Sequence, residues 1–191
     1  MKLSVIDITY GTRVNGPGRR NIVHVAGCRI RCPGCFSKHT WEKSAGKVYE
    51  VAEVLELLLK DNPEGVAISG GEPLEQAGAV SELARLLWLA NLSKGVVLFT
   101  GVAHHALNNI PEWAEIKKHV DLVVSGPYDQ QLAVTPVRGM LSSSNQRLLY
   151  MSYKITPDML STVPSVEVQI TKDGGKILGF PGERNVSLKN D

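Results

Sequence analysis

Val66-Ala-Ile-Ser-Gly-Gly-Glu-Pro73, read on as far as Gly101, decides how this chain folds. Val66–Ser69 is a short apolar strand stopped by two glycines. Val80, Leu83, Ala84, Leu87 and Trp88 then fall on one face of a helix, and Val96–Thr100 is a second buried-type strand stopped by Gly101. The same unit repeats outward in both directions. Upstream, Asn21–Ala26 is a strand candidate ending at Gly27. It is followed by a helix over Glu50–Lys60, whose stripe is Val51, Val54, Leu55, Leu58 and Leu59 and which Asn62-Pro63 terminates. Downstream, helical stretches at Ala103–Asn109 and Glu112–His119 lead to the strand Leu122–Ser125, closed by Gly126-Pro127. Strands alternating with helices imply an α/β fold with parallel strands and crossover helices, in which ligands gather at the C-terminal ends of the strands. The loops that begin at Gly27, Gly70 and Gly101 then face one side.

The flanks follow other patterns. Leu3–Thr9 is β-prone, and Tyr10–Arg20 reads as a polar loop with Asn15-Gly16-Pro17-Gly18 at its tip. After Gly139 a polar stretch, Ser142–Gln146, precedes the strand-like Arg147–Met151. Val166, Val168 and Ile170 alternate, turn at Asp173-Gly174-Gly175 and pair with Lys176–Phe180 as a hairpin; the chain beyond Gly182 is expected to fray. This divides the chain into a core at 1–153 and a C-terminal extension at 154–191.

The 191 residues, 43% of them hydrophobic and 21% charged, suit one globular unit with a substantial core. Twenty-one Lys and Arg against 19 Asp and Glu leave a net charge of +2, too small for a global case for nucleic acid or a membrane surface. The longest apolar run, Leu86–Ala90, falls far short of the roughly 20 residues that cross a bilayer. Asp7 breaks any signal-like N-terminus, so the expected location is the cytoplasm, where the sequons at Asn91 and Asn185 carry no weight.

All three cysteines, Cys28, Cys32 and Cys35, sit in one short loop that glycines at 27 and 34 and Pro33 let wrap around something compact. A disulfide framework would spread an even number along the chain, so the cluster reads as a metal or redox site. Three thiolates on a cubane of four irons leave one iron open to a small molecule. A zinc of Cys3His type with His39, or an electron carrier with a fourth ligand elsewhere, uses the same residues. The loop by itself leaves these readings open.

Asn15-Gly16-Pro17-Gly18, Arg20, Gly27-Cys28, Cys32-Pro33-Gly34-Cys35-Phe36, Thr40-Trp41 and Ser69-Gly70-Gly71-Glu72-Pro73 together resemble the radical S-adenosylmethionine (SAM) superfamily. Within it the likeness is greatest to the activating proteins of glycyl-radical enzymes, above all those of anaerobic ribonucleotide reductase. Asp121–Asp129, Arg138-Gly139 and Ser143-Ser144-Asn145-Gln146 extend it over roughly residues 12–150. The resemblance implies a partial (βα)6-type radical SAM barrel of about six strands with a short C-terminal β extension. It implies a [4Fe–4S] cluster on Cys28, Cys32 and Cys35, with SAM chelating the fourth iron. Phe36 and the backbone of Gly34 would meet the adenine, and Gly70, Gly71 and Glu72 the amino group. The implied activity is reductive cleavage of SAM, and the radical formed takes hydrogen from a glycine on a separate, larger partner.

The resemblance also implies that the Asn15–Gly18 loop lines the entrance for that glycine, with Arg20, Arg138 and Asn145 as further contacts. Arg29, Arg31 and Lys38 form a basic patch suited to an acidic electron donor of flavodoxin or ferredoxin type. His104, His105 and His119 read as surface or capping residues. A radical SAM enzyme of the same core acting on a small molecule or another peptide is the alternative. The stretch from Lys154 onward and the spacing between Gly139 and Ser143 motivate it.

Overall fold

Apolar runs that read as strands pair side by side in a computed structural model, which describes residues 1–134, 140–171 and 174–179. The strands are β1 (Lys2–Thr12), β2 (Arg20–Val25), β3 (Lys47–Glu50), β4 (Gly65–Gly70), β5 (Val96–Thr100), β6 (Leu122–Ser125) and β7 (Arg147–Tyr150). They form one sheet in the order β3-β1-β2-β4-β5-β6-β7. The four central strands, β2, β4, β5 and β6, are parallel. Antiparallel strands flank them, β1 and β3 on one side and β7 on the other. The crossovers carry α1 (Val51–Leu59), α2 (Ala77–Leu89) and α3 (Trp113–His119). This is a mixed α/β sheet with a parallel centre.

Central strands are apolar at consecutive positions because both faces are covered. Val23, Val25, Ile68 and Leu98 pack under α1, α2 and α3, against Val54, Leu58, Leu83 and Ile116. The alternate residues Ile22, Ala67, Val97 and Leu122 face the other way. Met140 covers them, together with Ile155, Leu160 and Val163 from the segment around a one-turn helix, α4 (Pro157–Leu160). Helix α1 starts with a reciprocal cap, in which Glu50 and Glu53 each accept from the other's backbone amide.

Several expectations need revision. β1 continues to Thr12, and β3 lies where no strand was expected; it pairs with β1 and, among the described residues, forms the edge of the sheet. The buried stripe of α2 is Ala77, Val80, Leu83, Ala84 and Leu87, while Trp88 is half-exposed with its ring edge-on to His119. Arg20 is completely buried at the N-terminal start of β2, in register with Gly65 at the start of β4. The cysteine loop follows the other end of the same strand, about 17 Å away at 3.3 Å per residue. The Asn15–Gly18 loop is thus on the side away from the cysteines. Arg20 donates to the carbonyls of Pro17, Val66 and Lys94 at 2.6, 3.1 and 3.0 Å, and desolvation lowers its pKa to about 9. A Cβ at Gly16 or Gly65 would come within 2.8 or 2.7 Å of its guanidinium, so these glycines are the space it occupies.

The expected hairpin is present as β8 (Val166–Thr171) and β9 (Gly174–Gly179), a sheet of its own. Its polar side faces β1. Thr12 and the Arg13 amide donate to Glu167, Gln169 donates to the Tyr10 carbonyl, and Lys176 reaches Asp7 and Thr9 at 3.0 and 3.2 Å. Val168 and Ile170 consequently point outward, 62% and 88% exposed. Arg138 and Gly139, Asp173 of the turn, Phe180 and everything beyond Gly182 lie outside the described residues.

Candidate functional site

At the C-terminal ends of the parallel strands four loops converge on one cavity. It encloses about 790 Å³ including its open mouth. Cys28, Cys32, Cys35 and Phe36 line it from the loop after β2. Gly70 ends β4 with Gly71 and Glu72 after it, Thr100 ends β5 with Gly101 after it, and Gly126 and Tyr128 follow β6. The first three are the loops that the strand–glycine rhythm placed on one side; the loop after β6 joins them.

Backbone pairing closes the neck of the cysteine loop. The Gly27 amide donates to the Thr40 carbonyl at 2.8 Å and the Cys28 amide to the Trp41 carbonyl at 2.9 Å. Inside the neck, Cys35 N–H turns back to the Cys32 carbonyl at 3.1 Å, and Gly34 has a φ of +73°. A Cβ at Gly34 would run into the side chain of Gln130, so only glycine lets the loop lie against the segment after β6.

The Gly70-Gly71-Glu72 turn is welded to the start of that loop. The Gly71 amide donates to the Val25 carbonyl and the Glu72 amide to the Gly27 carbonyl, both at 2.8 Å. A Cβ at either glycine would strike the Val25–Gly27 backbone or its neighbours. Glu72 is 2% exposed, and its carboxylate accepts from Leu74 N–H at 2.9 Å, Thr100 Oγ1 at 2.7 Å and Gly101 N–H at 2.7 Å. Burial raises its pKa, and those donors oppose the rise. The carboxylate therefore ties the end of β4 to the end of β5 at the cavity wall.

All three cysteines are free and half-buried. Burial pushes the Cys28 and Cys32 thiols up, while backbone amides of Ile30, Arg31 and Tyr128 pull them down. The Ser37 amide donates to Cys35 Sγ at 3.4 Å. Amides aimed at sulfur fit thiolates bound to metal. Among the described residues no three His, Cys, Asp or Glu side chains converge as the ligands of a single ion would. His39 lies exposed on the loop and completes no zinc tetrahedron with the cysteines. Three thiols spread along a cavity wall suit separate corners of a polynuclear cluster, so the residues present fit a [4Fe–4S] group.

Phe36 is 53% exposed, with its ring 5.5 Å from that of Tyr128 across the mouth, so it is not a core residue. Asn145 and Gln146 clip the turn after β6. Asn145 donates to the Pro127 carbonyl at 2.8 Å and Gln146 to the Gly126 carbonyl at 3.0 Å, while Gln146 Oε1 accepts from Ser142. The basic patch is partly neutralised, since Arg29 pairs with Glu75 and Arg31 with Glu42. Phe99, Val124 and Tyr128 also line the cavity and were not foreseen. For Val124 the signal was its alternate position on an apolar strand; for Tyr128 it was an aromatic directly after Gly126-Pro127.

The family model described as a 4Fe-4S single cluster domain matches residues 14–149. The anaerobic ribonucleoside-triphosphate reductase-activating protein of Enterobacteria phage T4 is 32% identical over 141 residues, 71% of this chain and 86% of the relative. Its namesake from Vibrio cholerae is 32% identical over 127 residues, 63% of this chain and 81% of the relative. The pyruvate formate-lyase-activating enzyme of Clostridium pasteurianum is 33% identical over 117 residues, 58% of this chain and 46% of that enzyme. With its cysteine loop, glycine turn and shared cavity in place, the chain belongs to the single-cluster 4Fe–4S family, among the radical SAM activating proteins of glycyl-radical enzymes.

Proposed function

We propose that this chain activates an anaerobic ribonucleotide reductase by generating a glycyl radical on it. The observation that carries this is one cavity walled by the three thiols of a single loop and by the Gly70–Glu72 turn. Cys28, Cys32 and Cys35 hold a [4Fe–4S] cluster. When bound, the cluster supplies the electron that splits a C–S bond of SAM, releasing methionine and a 5′-deoxyadenosyl radical that takes a hydrogen atom from the partner's glycine Cα. Around that chemistry the protein binds, orients and excludes water. Phe36 offers an aromatic face to the adenine, with the Gly34 backbone beside it. Gly70 and Gly71 expose backbone to the SAM amino group, and Glu72 adds a carboxylate whose Oε2 accepts from the Gly101 amide.

In this reading the sheet is a partial (βα)6-type barrel, residues 1–153 form its core, and 154–191 extend it. No helix among the described residues is long and apolar enough to cross a membrane. The working location is the cytoplasm, and the electron comes from an acidic donor of flavodoxin or ferredoxin type. Anaerobic reconstitution tests the proposal. About four irons per chain, 5′-deoxyadenosine and methionine on adding dithionite and SAM, and a glycyl doublet in the electron-spin spectrum of a co-incubated reductase are expected. A cluster inert towards SAM overturns it.

A further inference from the structure

The three thiols do not receive their hydrogen bonds from the same place. Amides of the cysteine loop itself serve two of them, with Ile30 and Arg31 donating to Cys28 and Ser37 to Cys35 at 3.4 Å. Cys32 takes one from across the mouth, from the Tyr128 amide in the segment after β6. The wrap of the loop fixes the local donors; the distant one needs a support of its own. Gly126-Pro127-Tyr128 offers two amides, since proline has none. That of Gly126 goes to the Thr100 carbonyl at 3.0 Å, which leaves Tyr128 for the sulfur. Its peptide plane carries the Pro127 carbonyl at the opposite end, because C=O and N–H of a trans peptide point opposite ways. Asn145 Nδ2 donates to that carbonyl at 2.8 Å. One side chain thus grips the plane from behind while its N–H faces Cys32. Asn145 is itself held, since the Ser144 amide donates to the Leu132 carbonyl at 2.9 Å and the Asp129 amide to Ser143 Oγ at 3.2 Å. Cys32 and Tyr128 line both the SAM cavity and a neighbouring groove, whereas Asn145 and Pro127 line the groove and not the cavity. Asn145 therefore stands behind the partition, away from SAM.

We infer that Asn145 is a positioning residue for the cluster: by holding the Pro127–Tyr128 peptide plane it keeps an amide on the Cys32 thiolate, and so sets how readily the cluster is reduced. The inference rests on the [4Fe–4S] assignment of the proposed function and goes beyond it. Hydrogen bonds to cluster sulfurs favour the reduced, more negative form and raise the potential. Donation into the Pro127 carbonyl also polarises the same peptide and makes its N–H a stronger donor. Without Asn145 the plane is free to turn. An amide that swings from sulfur to solvent no longer stabilises the added electron. No bond is made or broken and no proton moves; Asn145 acts on an equilibrium.

Redox titration of the reconstituted chain, read by the spin signal of the reduced cluster, tests this. In Asn145→Leu, which keeps the size and removes the donor, the ratio of reduced to oxidised cluster at a fixed potential should fall about tenfold, or about 59 mV for a one-electron couple. Iron content should be unchanged, and the electron–nuclear coupling of an exchangeable proton to the reduced cluster should weaken. Ser144→Ala, at the exposed neighbouring residue, should change none of these. An unchanged ratio in Asn145→Leu overturns the inference. So does an equal fall in Ser144→Ala, a fall with the proton coupling intact, or loss of iron in place of a shift. Weakened capture of SAM or of the reductase at an unchanged potential overturns it too, because Asn145 is then a contact and not a support. Failure of the underlying reading shows separately: if the wild-type chain takes up no cluster, the proposed function falls, and this inference with it.

Discussion

The two ends of the parallel strands both carry glycine-rich loops, and they use glycine in opposite ways. At the C-terminal end, Gly70 and Gly71 press backbone against the Val25–Gly27 segment, and the side chains withheld leave a cavity. At the N-terminal end, the space that Gly16 and Gly65 leave is filled by the guanidinium of Arg20. Glycine supplies room in either case. Whether the room becomes a site depends on what the chain puts into it: three thiols with amides directed at them at one end, a buried cation held by three backbone carbonyls at the other.

The largest effect that sharpens this contrast is all-or-none. Cys32→Ala should abolish cluster assembly and 5′-deoxyadenosine formation while changing the unfolding free energy of the metal-free chain, from urea titration, by no more than about 0.5 kcal/mol, the usual size for a surface substitution. Retained cluster would remove that thiolate from the site. Arg20→Met should do the reverse. It removes the guanidinium that donates to the carbonyls of Pro17, Val66 and Lys94, and a buried group left unsatisfied costs about 1–3 kcal/mol. A loss of roughly 3–5 kcal/mol in stability, with normal iron loading well below the melting temperature, is the expected result. If Arg20→Met instead weakened SAM binding at unchanged stability, the distinction between the two ends would fail.

His24, the penultimate residue of β2, gives the fold a separate pH test. Burial, and then Lys176, lower its pKa from 6.5 to about 4, with Asp7 opposing, and its ring lies 3.1 Å from Thr9 Oγ1. Between these values the unfolded chain binds the proton and the folded chain does not. Stability is therefore full above pH 6.5 and drains as pH falls towards 4, by up to about 3 kcal/mol. His24→Gln should remove that part of the slope in denaturation midpoints measured from pH 7 to 4.5. An identical slope in the variant would assign the loss to carboxylates.

What the sequence made legible was local. The cysteine loop, the Gly70–Glu72 turn and the central strands each announce themselves within a few residues, and parallel topology then brings them to one end. What it hid was decided at long range. Arg20 beside Gly16 and Gly18 reads as a functional loop residue because nothing nearby shows that Lys94 and Val66 carbonyls await it. The alternation of Val166, Val168 and Ile170 shows a hairpin but not which side meets the sheet; Glu167, Gln169 and Lys176 find partners on and just after β1 more than 150 residues away in sequence, and this turns Val168 and Ile170 outward. Trp88 fits the helical period but sits at the margin of its stripe, where only the position of α3 decides exposure.

One substitution at two glycines tests the argument about room most finely. Gly71 ends against backbone: a Cβ there collides with the Gly27 carbonyl, which is itself bonded to the Glu72 amide and cannot retreat without opening the neck of the cysteine loop. Gly71→Ala should cost about 1–3 kcal/mol, the range for overpacking, and displace the loop enough to lower iron content. Gly78, inside α2, meets only the flexible end of Met1 at 3.6 Å, so Gly78→Ala should stabilise by about 0.5–1 kcal/mol through helix propensity. Opposite signs in paired urea titrations are required if glycine at the site is there for close backbone approach. Equal signs would mean that the turn yields, and that the cavity wall is held by something other than the Gly71–Gly27 contact.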